Sequence, residues 1–138
     1  MTNKDFKKTL DELLRPFGFS NKGNLWTLET DELEKLIYLQ KSNYGNLYYL
    51  NYGYNIKGLV YDEVTMHIGN GLSQSEAFDL ENQLEPIDRI YQLEKIILNE
   101  LLPELEKVNT ELELIDLLKK QPHLNDVPLL VKDYFKLN

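Results

Sequence analysis

The chain has two histidines, His67 and His123, and no cysteine. That leaves little material for metal or thiol chemistry. No H-x-x-x-H or H-E-x-x-H spacing occurs, and no thiolate can complete a ligand set. A lone strand histidine is more often a packed or surface residue than a ligand. A calcium loop needs D-x-D-x-D-G spacing, which is absent. Of the serines Ser20, Ser42, Ser73 and Ser75, none lies in G-x-S-x-G. Gly69-Asn70-Gly71-Leu72-Ser73 lacks the Gly-Lys-Ser/Thr ending of a phosphate loop and the third glycine of a dinucleotide fingerprint, so it reads as a turn. Carboxylate pairs such as Glu111 and Glu113 have spacing but no pocket to define acid–base work. These residues predict a protein without metal or cofactor that is not an enzyme.

Two features could bind. Seven of the nine tyrosines fall between Tyr38 and Tyr61. Half-buried sheet packing accounts for most tyrosines in such a segment. The alternative uses an apolar ring with a hydrogen-bonding tip and little entropy to lose, which suits a binding surface. With Gln40, Ser42, Asn51 and Asn55 close by, one sheet face can be a polar–aromatic platform, so Gln40, Ser42, Tyr44, Tyr49 and Asn51 are candidate partner-binding residues. The second feature is charge. Residues 79–116 carry eleven acids against three bases and sum to −8, as large as the net charge of the whole chain. Such a field repels phosphate backbones, so nucleic acid is an unfavourable partner, and it attracts basic proteins. The plainer reading is a solvated helix face. Glu100, Glu104, Lys107 and Glu111 follow steps of three and four residues, which on one helix would share a face, so Glu100, Glu104 and Glu111 join the candidates.

The elements that must hold these residues follow from periodicity. Phe6, Leu10, Leu13 and Leu14 predict a helix over about residues 3–15, capped by Thr2 with Asp5 and stopped by Pro16. Turn residues 21–24 precede a short strand with Trp26 and Leu28. A second strand over 33–42 has Leu33, Ile37 and Leu39 on one face and Leu36 and Tyr38 on the other. Asn43-Tyr44-Gly45-Asn46 is a hairpin turn. The third strand, about 47–56, has an even face of Tyr48, Leu50, Tyr52, Tyr54 and Ile56, and a smaller, more polar odd face. A fourth centres on Val64, Met66 and Ile68 and ends at Gly69-Asn70-Gly71. Short turns between strands predict an antiparallel meander.

The rest is helical. Ser73 with Glu76 resembles a capping box, and Pro86 suits a first helical position. Ile87, Ile90, Tyr91, Ile97, Leu98, Leu101 and Leu102 form an apolar stripe, widened by Leu93 and Ile96, with a break near Pro103. Thr110 with Glu113 caps the next helix, which Pro122 closes. Asp126 opens a last one with Leu130, Val131, Tyr134 and Leu137. The expected fold is α+β: an N-terminal helix, a four-stranded antiparallel meander, and C-terminal helices packed on one sheet face. Expected core positions are Phe6, Leu10, Ile37, Leu39, Val64, Ile90, Ile97 and Leu101.

With 138 residues the chain fits one domain, 1–138. No apolar run approaches the roughly 20 residues that span a bilayer, so a membrane is not an expected partner. The opening Met1-Thr-Asn-Lys-Asp-Phe has no apolar stretch behind its charge, and cysteine is absent, so a cytoplasmic location is expected.

The order of short motifs adds to this. Arg15-Pro16-Phe17-Gly18-Phe19 followed by Gly23-Asn24-Leu25-Trp26 resembles an L-x-P-x-G-F-x-x-x-G-x-x-W opening. Leu39-Gln40-Lys41-Ser42 is similar to an L-Q-K-S strand end, Tyr49 to Gly53 to a Y-x-N-x-G strand, and Met66-His67-Ile68 to a C-H-I strand. Over about residues 6–70 the chain thus resembles the bacterial family named domain of unknown function 4304. It departs from the pattern where Gly69, Asn70 and Gly71 stand in place of an arginine. The resemblance implies an α+β fold and no established activity. By analogy with small acidic bacterial families of this size, the expected function is an interaction protein, an immunity-type inhibitor of a basic toxin domain. The alternative is a small-ligand domain with its cleft between sheet and helices.

Overall fold

A computed structural model describes residues 1–59, 68–72, 74–120 and 129–136. Helix α1 (Asn3–Leu14) starts as its sequence predicts, with Thr2 Oγ1 accepting from the Asp5 amide at 3.0 Å. Phe6, Leu10 and Leu14 bury one side of it. At Pro16 the α-helix gives way to a single 3-10 turn, Arg15–Phe17, and Gly18 then takes a φ of +96°, which a residue without Cβ adopts at little cost.

The sheet follows as β1 (Ser20–Lys22), β2 (Leu25–Glu29), β3 (Leu33–Lys41), β4 (Tyr48–Ile56) and β5 (Ile68–Gly71), neighbours in chain order and all antiparallel. It has one strand more than the four expected. Ser20, Asn21 and Lys22 form β1, and only Gly23 and Asn24 turn, Gly23 at φ +62°. A three-residue polar strand carries no alternation to detect. Gly69, Asn70 and Gly71, expected to end a strand, lie within β5 and pair with β4. Val64 and Met66 are outside the described residues.

Register decides the faces. Trp26 pairs with Ile37 and Ile37 with Tyr52, Leu39 pairs with Leu50, and Leu33 with Ile56, so these side chains share the inner face. Phe6 stacks on Tyr48 at 5.1 Å between centroids and meets Phe78 edge-on at 6.1 Å. Trp26 is fully buried, and its indole N–H donates to Asp11 Oδ1 at 3.1 Å. The helices cover this inner face in one hydrophobic core.

Helix α2 (Pro86–Ile96) begins with Pro86 at its first position. It turns Arg89 and Leu93 inward, and the turn that follows it adds Ile97 and Leu101, one every four residues. Ile90, expected in the core, is instead 39% exposed, and Ile87, Tyr91 and Leu98 also face outward. The segment carries two apolar stripes, and Arg89 helps decide which one packs. Its guanidinium is buried and donates through Nη1 to the Ala77 and Asp79 carbonyls at 2.9 and 2.8 Å and through Nη2 to Asn82 Oδ1 at 2.6 Å. That locks the rotation of α2 against the 76–82 segment.

The break expected at Pro103 takes the form of a π-turn. Residues Ile97–Leu101 are π-helical, the Leu102 amide donates to the Ile97 carbonyl, and α3 (Leu102–Glu106) continues the run. One wider turn accommodates a residue that cannot donate. Ser75, rather than Ser73, caps the short 3-10 turn Glu76–Phe78, accepting from the Ala77 amide at 3.2 Å; Ser73 lies outside the described residues. Thr110 Oγ1 caps α4 (Glu111–Lys119) at the Glu113 amide as expected. Helix α5 (Leu129–Phe135) buries Val131. Pro122, Asp126 and Leu137 lie outside the described residues. Among the described residues no helix is long and apolar enough to cross a membrane.

Candidate functional site

The same register that buries Ile37 and Leu39 turns Tyr38 and Gln40 to the opposite face of the sheet. Tyr38 stands across from Asn51, and Gln40 across from Tyr49. Tyr38, Gln40 and Tyr49 are exposed and Asn51 is half-buried. Asn51 Nδ2 donates to Gln40 Oε1 at 3.1 Å, so the two amides are set between the two rings. On the next strand Asn51 faces Gly71, where a Cβ would lie 3.3 Å from Asn51 Oδ1. A glycine there leaves the Asn51 amide uncrowded.

The hairpin turn lies beyond these residues. Tyr44 is 99% exposed. Its backbone is ordered: the Tyr44 amide donates to Ser42 Oγ at 3.1 Å and the Ser42 amide to the Leu47 carbonyl at 2.8 Å. Glu81 Oε1 accepts from the Asn46 amide at 2.9 Å, and the Leu80 amide donates to the Asn46 carbonyl. The β3–β4 hairpin therefore brings Gln40, Tyr49 and Asn51 together with Tyr38 on one face, while Ser42 and Tyr44 lie at its end. Tyr38 was legible as an outward residue from its place in the alternation.

The other tyrosines of β4 turn inward. Tyr48 and Tyr54 are buried and Tyr52 packs against the core. Tyr54 donates its hydroxyl to the Glu104 carbonyl at 3.2 Å, and burial first, then Tyr52 and Glu104, pushes its pKa well above the usual phenol range. The unfolded phenol ionises near pH 10 while the folded one stays protonated. The stabilisation is therefore complete below about pH 10 and is lost above it at about 1.4 kcal/mol per pH unit. Tyr54→Phe is expected to cost about 1 kcal/mol at neutral pH and to flatten the loss of stability between pH 10 and 11. Urea unfolding at three pH values checks this, and an unchanged alkaline slope would mean that Tyr54 is not the titrating group.

The acidic candidates do not line up. Glu100 is exposed in the π-turn, and Glu104 pairs with Lys107 at 2.9 Å on the surface. Glu111 opens a different helix beyond Thr110. Its Oε1 accepts the Tyr134 hydroxyl at 2.5 Å, and its amide donates to Glu32 Oε1. Steps of three and four residues imply one face only within one helix, and the chain turns between Glu106 and Glu111. Glu111 is a tie between α4 and α5, and exposed pairs such as Glu104–Lys107 contribute little to stability.

Between the sheet and α3 lies a small space of about 60 Å³, lined by Phe17, Phe19, Leu28, Lys35, Leu102 and Leu105 among others. Lys35 donates to Asn109 Oδ1 at 2.7 Å. Burial pushes its pKa down, against the pull of Glu106 and Glu113. This volume suits ordered water, well below the roughly 300 Å³ of a small-molecule site. Among the described residues no cluster of three or more His, Asp or Glu could hold a metal ion. His67 and His123 lie outside them.

The family described as Domain of unknown function (DUF4304) has a model that matches residues 10–107, from α1 through the sheet to the residue after α3. No curated protein and no solved structure matches the chain.

Proposed function

The chain belongs to the DUF4304 family, and from that footing we propose that it is a non-catalytic protein-binding module, an immunity-type inhibitor that occludes a basic bacterial toxin domain in the cytoplasm. The observation that carries the reading is the outer face of the β3–β4 hairpin. Tyr38 and Tyr49 present aromatic rings to solvent beside the Gln40–Asn51 hydrogen bond, and Tyr44 is exposed at the hairpin end. Rings with two rotatable bonds lose little entropy on docking, and their hydroxyls can be satisfied at a wet interface. Strands held by a continuous ladder keep the rings in place before contact. The net charge of −8 attracts a basic partner at long range and raises the encounter rate. Among the described residues the space between the sheet and α3 is about 60 Å³, small for a ligand. The test is co-expression with the basic product of a neighbouring gene. The expected result is a stoichiometric complex in which the partner's toxicity is suppressed. A soluble basic neighbour that remains toxic and separate would overturn the reading.

A further inference from the structure

From Ser42 to Ile56 the sequence carries no charged residue, although such residues make up 28% of the chain. The β3–β4 turn opens this run, and Ser42-Asn43-Tyr44-Gly45-Asn46 uses only serine, asparagine, tyrosine and glycine. Binding loops favour the same four types. Tyrosine gives a large contact area for two rotatable bonds, and the small polar residues adapt their hydrogen bonds to the surface they meet. Tyr44 is 99% exposed, so its ring projects from the turn with nothing of this chain packed on it. Asn43 beside it is exposed as well.

The turn that carries the ring is held from both sides. Within the hairpin, the Tyr44 amide donates to Ser42 Oγ and the Ser42 amide to the Leu47 carbonyl. From outside it, Glu81 Oε1 accepts from the Asn46 amide, the Leu80 amide donates to the Asn46 carbonyl, and Leu47 bridges to Asp79. At Gly45 a Cβ would lie 3.3 Å from Glu81 Oε2, so the glycine lets that carboxylate close on the turn. A backbone fixed in this way before contact loses little freedom on docking.

We propose that the 42–46 turn is a plug that enters a concave cleft of the partner protein, Tyr44 first. A projecting ring with a hydrogen-bonding tip fits a receptor that surrounds it, as anchor residues fill pockets at interface centres. An uncharged turn is buried there without stripping water from ions, and interface cores are poor in charge for that reason. Lys41 precedes the turn and Glu81 braces it, one charge of each sign, so attraction at a distance comes from the net charge of −8 and the turn acts on contact. The proposal rests on the protein-binding reading above and adds to it a cleft in the partner, filled by the turn beyond Tyr38 and Tyr49.

The experiment uses the full chain and the basic product of the neighbouring gene. Tyr44→Ala is expected to weaken the complex at least about tenfold while leaving urea unfolding unchanged. Glu81→Ala is expected to weaken it about threefold or more, and Glu81→Gln, which loses the same charge but keeps an acceptor for the Asn46 amide, to restore most of that loss. A Tyr44→Trp variant reads the insertion itself. Trp26 is the one native tryptophan and is fully buried, and the parent complex supplies the background signal. Acrylamide should quench the introduced indole readily in the free chain and hardly at all in the complex. A complex in which that indole stays as quenchable as before, or one that Tyr44→Ala leaves as tight, would overturn the plug and leave the Tyr38–Tyr49 face as the contact. Self-association that Tyr44→Ala abolishes would also overturn it, by assigning the turn to a second copy of the chain. Absence of any complex would sink the plug and the protein-binding reading together.

Discussion

Replacing Arg89 with methionine is expected to lower the stability of the protein by about 2–3 kcal/mol, because it leaves neutral acceptors in and near the core without their donor. Methionine fills a similar length with apolar volume, so the loss isolates the hydrogen bonds. The guanidinium is only 2% exposed and holds the Ala77 and Asp79 carbonyls and the Asn82 side chain. Without it the buried Ala77 carbonyl is left unpaired, at about 1–3 kcal/mol, while the half-buried Asp79 carbonyl and Asn82 amide can turn to water. The consequence reaches the hairpin. The 76–82 segment carries Glu81, which accepts from the Asn46 amide in the turn that holds Tyr44, and Leu80, which bonds to the Asn46 carbonyl. Urea unfolding reads the stability, and a change below about 1 kcal/mol would show that the 76–82 carbonyls find other donors.

The other large effect belongs to binding. Tyr38→Ala and Tyr49→Ala are each expected to weaken the complex with the basic partner by about 2 kcal/mol, and together by a hundredfold or more. Both rings are more than a third exposed in the unbound chain, so folding stability should change by less than about 1 kcal/mol. Gln40→Ala should cost less, because water can replace its bond to Asn51. Titration calorimetry gives the affinities. A double variant that binds as tightly as the parent would move the interface off the sheet.

What the sequence revealed depended on how strongly each segment's pattern was constrained. Alternation in β3 and β4 placed Ile37, Leu39, Leu50 and Tyr54 inward and Tyr49 outward, because a one-residue slip would expose the entire inner row. The expected caps at Thr2 and Thr110 are both made. β1 escaped notice because three polar residues have no period. Asn51, Gln40 and Tyr49 share a face as their parity requires, and Tyr48 and Tyr54 pack inward, as half-buried sheet packing implies for most tyrosines of the segment. Ile90 was misplaced because hydrophobicity alone cannot rank two stripes on one helix. The deciding residue is Arg89, a charged side chain that periodicity assigns to solvent and that three backbone or amide acceptors draw inward. The acids at 100, 104 and 111 had helical spacing, and a helix end at Glu106 separated Glu111 from the other two.

The central claim is that this chain binds a protein through the outer face of the β3–β4 hairpin. Hydroxyl-radical footprinting of the free chain and of its complex with the basic partner tests it most directly, because tyrosine reactivity reports side-chain exposure ring by ring. Tyr38, Tyr44 and Tyr49 are expected to lose most of their reactivity in the complex, while the buried Tyr48 and Tyr54 stay unreactive in both states. A complex in which Tyr38, Tyr44 and Tyr49 react as fast as they do in the free chain would contradict the claim.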